Sequence, residues 1–284
     1  MGASATVSLI VFVAASMVGI GLQVTTGAMR EALRLRGFLG RALVANFLVI
    51  PLMGVALVRL VPMKPELAVA LLLLACAPGG PSALQFTGKQ KAALAHAGTT
   101  AFALSLVAVF LSPFLMELAL SGSMPLAVPY ARAFWVFLLL LVLPLGLGLL
   151  LRSQVPGLAT RLAPPAVITG TLAFVAFIGF TLARRQANMA ALEPWALLAM
   201  FGFILASLAI GWLLGGPEAP TRRVLATASS MRNVPFCLAV AQHSPPGINI
   251  EVPLVAFSAL MIPPNLVFFL VTLLKGRRGE GQAS

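Results

Sequence analysis

Acidic side chains are nearly missing from this chain: seven, all of them glutamate, among 284 residues, with charged residues of either sign reaching only 9%. Soluble domains run near a quarter charged, so a water-soluble globular domain is excluded. Histidine and cysteine are as sparse, two of each, and they do not cluster with metal-ligand spacing. No glycine-rich loop of the phosphate-cradling kind occurs either. Cys76 and Cys237 fall inside apolar segments, which suits small buried side chains and not an extracellular disulfide framework. Alternation of apolar and polar residues is absent, and a transmembrane barrel requires it. No basic region precedes the apolar run at 7–22, so the first helix is expected to stay and not to be cleaved as a signal peptide.

What is present is hydrophobic: 60% of the residues, with a mean hydropathy of +1.02. This is the composition of an all-α integral membrane protein. A formal net charge of +12 would suggest nucleic acid in a soluble chain, but here the basic residues stand between apolar runs and act as topology signals. With about 20 apolar residues needed per crossing, nine transmembrane helices are expected: 5–22, 38–60, 66–88, 92–120, 129–151, 163–183, 194–215, 219–243 and 252–274. One set of alternate loops carries Arg30, Arg34, Arg36, Arg41, Lys89, Lys91, Arg152, Arg161, Arg222, Arg223, Lys275, Arg277 and Arg278; the other carries Arg59, Lys64, Arg132, Arg184 and Arg185. The bias predicts the N-terminus outside and the C-terminus cytoplasmic, in a plasma or inner membrane.

Two spans are interrupted. In the third, ACAPGGPSAL breaks the helix at Pro78, Gly79, Gly80 and Pro81; in the eighth, ASSMRNVPFC does so at Asn233 and Pro235. Unpaired backbone is not tolerated against lipid, so each break must be buried in protein or line a wet cavity. The two broken helices lie five segments apart, an odd offset, and therefore cross in opposite directions. This is the pattern of an inverted repeat, here four helices plus five, and broken helices at matching positions point to a transport site.

Each break leaves a half-helix N-terminus, with unpaired N–H groups and partial positive charge, aimed at mid-membrane. An anion is its natural guest. Gly80 is the expected cap in the first break, with Pro81 and Ser82 beside it; Asn233 is the cap in the second, with Pro235 just inside. Arg232 adds a full charge there. Glu66, Glu117, Glu193, Glu218 and Glu251 all fall near span ends, and Glu31 and Glu280 in loops, so no carboxylate is predicted at mid-membrane. Two readings stand: Arg232 faces a cavity and meets an anionic substrate or the carbonyls of the breaks, or the helix ends early and Arg232 snorkels. His96 is either a proton relay or a neutral histidine bonded to a neighbouring helix. Ser229, Ser230, Thr99, Asn46 and Gln85 are polar residues at membrane depth, placed to line the crossing or to face other helices.

The segments ACAPGGPSAL, KAALAHAGTTAFALSLVAVFLSPFL and ATASSMRNVPFCLAVA, with GIGLQVT in the first span, resemble the bile acid:sodium symporter family over nearly the whole chain. The resemblance implies two inverted five-helix repeats, a panel domain (1–37 and 126–190) and a core domain (38–125 and 191–275, with broken helices 66–88 and 219–243), and a cytoplasmic tail (276–284). It also implies alternating access by motion of core against panel. The family's sodium ligands are where the chain departs. The matching positions hold Ala83, Leu84 and Ala95 at the first ion, although Thr99 is kept. At the second, Ala228 stands for a glutamate and Arg232 for a glutamine, Asn233 is kept, and a glutamine of the second span becomes Asn46. Cation sites need oxygen ligands, so sodium coupling of the usual kind is not expected, and no other metal or cofactor is.

The expected activity is secondary transport of a small organic anion through a lipid bilayer, with no nucleic-acid partner. The alternatives are a proton-coupled or facilitative carrier using His96, and, outside transport, a sensor or an intramembrane enzyme. Ser229, Ser230 and His96 make no evident triad, and His243 lies toward a loop, so an enzyme is not expected.

Overall fold

The structure is a computed structural model that describes residues 3–25, 27, 30, 36–79, 91–120, 135, 138–190, 192–241 and 249–280. Among these there are helices, turns and short connections, and no strand. Helix α1 spans Ala3–Gln23. α2 (Arg36–Val44) runs through a π-helical turn at Ala45–Val49 into α3 (Ile50–Leu60). α4 is Pro65–Cys76 and α5 Lys91–Leu120. A second π-helical turn, Leu138–Val142, leads into α6 (Leu143–Gln154). Then follow α7 (Pro156–Ala190), α8 (Pro194–Leu214), α9 (Ala219–Ser230), α10 (Val234–Ala241), α11 (Glu251–Leu260) and α12 (Ile262–Glu280).

Among the described residues five helical stretches are long and apolar enough to cross a membrane: Ser4–Gln23, Arg36–Leu60, Pro156–Phe177, Pro194–Leu214 and Glu251–Thr272. A sixth is the pair Thr100–Ala108 and Phe110–Leu120, bent by 57°. Pro113 accounts for the bend, because it lacks the N–H that would meet the carbonyl of residue 109 and its ring crowds that carbonyl. The two π turns have the same origin. Pro51 and Pro144 withhold the donors that Phe47 and Leu140 would receive, and the ladder widens around each orphaned carbonyl. Elsewhere proline starts helices: Pro65 and Pro194 stand at first helical positions after extended Lys64 and Glu193, where a missing N–H costs nothing.

Helices cover their polar backbone and pack through small residues, as expected where lipid removes any hydrophobic drive between helices. α1 lies against α6 and α7. A side chain at Gly21 would strike the backbone of Leu145 and Leu149, and one at Gly148 the carbonyl of Val18, so the axes approach closely there. α8 and α9 form a hairpin, Gly211 resting on the backbone of Leu225 and Ala226. α4 is buried along most of its length, Val69 to Cys76, among α3, α5, α10 and α11. Large apolar side chains on the outside, among them Leu52, Phe110, Leu118, Leu147, Leu172 and Leu205, form the lipid-facing belt. One group of buried polar residues, Asn46, Thr227, Ser229, Ser230, Arg232, Asn233 and Asn265, gathers at the break after α9.

Candidate functional site

α9 loses its ladder after Ser230. Met231 still donates its N–H to the Thr227 carbonyl, but Met231 itself is extended, and Arg232 and Asn233 are outside any helix. The chain restarts as α10, with the Asn233 side-chain oxygen accepting from the N–H of Phe236 at 3.3 Å. This is the N-cap expected from the sequence, and it satisfies one of the orphan donors of α10. α4 ends at Cys76, and Ala77, Pro78 and Gly79 continue as buried irregular backbone.

The two breaks touch. The N–H of Asn233 donates to the carbonyl of Ala77 at 3.2 Å, so each break satisfies a backbone group of the other. A side chain at Gly79 would run into the carbonyl oxygens of Ala228 and Met231. Only glycine fits the contact. Pro78, Gly79, Ala228, Ser229, Ser230, Arg232 and Asn233 are all buried, and Pro235 lies in the first turn of α10.

Arg232 is 1% exposed, so its side chain is held inside the protein and does not reach for a span end. Its Nη1 donates to Oδ1 of Asn46 at 3.3 Å. Asn46 is fixed in turn: its Nδ2 donates to the Ala42 carbonyl at 3.0 Å and to Ser229 Oγ at 3.1 Å. The π turn at Ala45–Val49 presents this asparagine to the breaks. Nε and Nη2 of Arg232 are buried without a hydrogen-bond partner among the described residues. The guanidinium lies 6.0 Å from the centre of the Phe203 ring, within cation–π range. Among the described residues Arg232 has no ion pair, and the neighbouring titratable groups are the free thiols of Cys76 and Cys237. The arrangement is a fixed positive charge with an open hydrogen-bonding edge, backed by neutral groups.

The structure therefore brings together Arg232, Asn233, Asn46, Ser229, Pro78 and Gly79. Ser230 faces another way, donating to Oδ1 of Asn265 at 2.6 Å on α12. Gly80, Pro81, Ser82, Ala83, Leu84 and Gln85 lie outside the described residues; Ala95, His96 and Thr99 belong to α5 with side chains outside them. Sequence reasoning missed Asn265 and Phe203. The signal for Asn265 was there, a lone amide inside the last apolar span, fully buried in the structure; nothing in the sequence singles out Phe203 among 18 phenylalanines.

At the opposite end of α4 from the breaks, Lys64 Nζ meets Glu193 Oε1 at 2.9 Å, tying the loop before α4 to the start of α8. That carboxylate, through its hydrogen bond and its charge, raises the Lys64 ammonium above its ordinary 10.5. Both side chains are at least half exposed, so the tie is screened by salt.

Comparison with known proteins places these features in a family. The sequence profile of the Sodium Bile acid symporter family matches residues 10–211. The chain is also 24% identical over 246 residues, 83% of its length and 74% of the relative's, to an uncharacterized sodium-dependent transporter, YocS, of Bacillus subtilis (strain 168).

Proposed function

Because the chain belongs to the sodium bile acid symporter family, we propose that it is a secondary transporter of an organic anion, working by alternating access, in which Arg232 is a fixed cation standing where a coupling sodium would sit. The observation that carries this reading is the buried guanidinium at the contact of two helix breaks, bonded among the described residues only to a neutral asparagine. A charge so placed costs from about 2.5 to over 10 kcal/mol in a membrane. An arriving anion recovers part of that cost, which makes the site selective for negative charge.

Two features of the second break support a reading without a coupling cation there. Ala228 offers no side-chain oxygen, and the donors of Arg232 point hydrogen, not lone pairs, into the site. The family membership and the helical residues described within all nine expected ranges support nine crossings arranged as four plus five. The packing of α1 with α6 and α7 supports a panel of 1–37 and 126–190 beside a core of 38–125 and 191–275. A second reading, retained sodium coupling, is favoured by the name of the Bacillus relative.

The test is uptake of radiolabelled cholate and taurocholate into proteoliposomes, with sodium or with choline outside. Equal uptake in both, and strong loss in Arg232→Gln, is the expected result. Uptake that needs sodium removes the substitution of charge for ion, and an unimpaired mutant removes Arg232 from the mechanism. Accumulation of either compound also separates transport from a sensor or an intramembrane enzyme, since neither would concentrate a ligand.

A further inference from the structure

Arginines converge on the turn that joins α8 to α9. Gly215 ends α8 in the right-handed conformation and Gly216 follows at φ +92°, the left-handed residue that closes many helices. Two guanidiniums meet at this second glycine. Arg222 Nε, from the first turn of α9, donates to the Gly216 carbonyl at 2.5 Å. Arg41, from the last turn of α2, lies against the α-carbon: a Cβ at Gly216 would strike its Nη2 and stand 3.2 Å from its Cζ. Arg223 adds a third charge to a first turn of α9 that holds no acidic residue and no side-chain cap, where the helix dipole already favours an anion. Arg41 makes no hydrogen bond or ion pair among the described residues, and its Nε, like that of Arg223, is buried without a partner there. Glu218 precedes α9, but its side chain is exposed and forms no ion pair among the described residues. Like charges gathered this way repel, so the turn is incomplete without a negative group.

The depth of the turn says what kind of anion. α8 is an apolar span, Pro194–Leu214, and this is the end that the charge bias assigns to the cytoplasm. Its last turn carries Trp212, which lies 5.7 Å below the Arg222 guanidinium and edge-on to Phe268, and Leu213, which is 75% exposed. Tryptophan at the end of a span marks the headgroup level. Paired guanidiniums beside an exposed leucine at that level complement an amphiphile with a negative head and an apolar tail. We infer that Arg41 and Arg222 form a binding site for the phosphate of an anionic phospholipid in the cytoplasmic leaflet, with Trp212 and Leu213 against its glycerol and upper acyl chain. The planar guanidinium fork suits phosphate oxygens, and basic pockets between membrane helices on the cytoplasmic side hold lipid head groups. The bound phosphate ties α2, whose helical path leads to Asn46, to α9, which ends at the second break. The site is independent of what the protein transports.

The chain's own tryptophans make the site testable in place. There are three, and in the full-length protein carrying Trp135→Phe and Trp195→Phe, Trp212 is the single reporter. The protein is reconstituted into phosphatidylcholine vesicles, and quenching by phosphatidylglycerol with brominated acyl chains is compared with quenching by equally brominated phosphatidylcholine. The expected result is a relative affinity beside Trp212 about fivefold higher for phosphatidylglycerol, the effect of one arginine at a membrane surface. Combined Arg41→Gln and Arg222→Gln should bring the two lipids to parity. The same comparison at Trp195, at the other end of α8 and made the single tryptophan by Trp135→Phe and Trp212→Phe, should show no preference. Equal quenching by the two lipids at Trp212 overturns the site. So does an equal preference at Trp195, because general attraction of a basic protein for an anionic membrane then suffices. A preference abolished by millimolar inorganic phosphate makes the site one for free anions and overturns the lipid. A preference that survives in a double arginine variant melting with the parent also overturns it; if that variant melts lower, Trp212 against Trp195 in the arginine-intact protein decides alone.

Discussion

Arg232 pairs one weak hydrogen bond with two buried nitrogens that have no partner among the described residues, a combination that costs stability and that the proposed anion site accounts for. Replacing a buried charge with an apolar side chain of similar volume is often neutral or stabilising by about 1–4 kcal/mol. Arg232→Met is therefore expected to keep or raise the melting temperature while abolishing anion uptake, a split that a purely structural arginine would not show. Asn46→Ala goes the other way. It strips the guanidinium of its acceptor and Ser229 of its donor, and should destabilise by about 1–3 kcal/mol, read as a lower melting temperature. Much of this centre was legible in the sequence, because an arginine, an asparagine and a proline in an apolar run violate the rules for lipid. Its partners were less so: Asn46 is 186 residues away and bonds through an amide that any helix contact would equally explain. Asn265 and Phe203 join the network only through packing that no local pattern encodes.

At the scale of elements, proline and glycine did most of the writing. The proline-led starts of α4 and α8, the cap of α10 and the breaks after α4 and α9 follow from backbone chemistry that the sequence displays openly. The π turns and the bend of α5 also trace to prolines, Pro51, Pro144 and Pro113, but a proline inside an apolar span does not announce whether the helix widens, bends or stops. The contact between breaks is the most constrained of these features. Gly79→Ala must push a methyl group into the carbonyls of Ala228 and Met231; overpacking of this kind costs about 1–3 kcal/mol, and loss of both melting temperature and uptake is expected. Asn233→Ala removes the cap from α10 at about 1 kcal/mol. Asn233→Ser, which restores a capping oxygen, should recover most of that loss in the same melting experiment.

For the whole molecule, the question is what drives the cycle if sodium does not, and the pH profile of uptake addresses it. Histidine is the side chain whose charge changes nearest neutral pH, so a proton relay through His96 would show as an inflection of uptake between pH 6 and 9. The tie across the ends of α4 and α8 adds none there. Its Lys64 is raised above 10.5 by Glu193, so the contribution of the ammonium is fully present below the ordinary lysine value and is lost only as pH rises through the higher folded one. Uptake driven by the anion gradient alone is expected to stay flat from pH 6 to 9 once the fraction of ionised cholate is held constant. In parallel, 0.5 M salt should weaken the exposed Lys64–Glu193 tie without altering the buried Arg232 site, because screening acts over about 4–5 Å at that ionic strength and reaches surface charges first. An inflection in that window that disappears in His96→Gln would instead assign the coupling to protons and leave Arg232 as the anion's partner only.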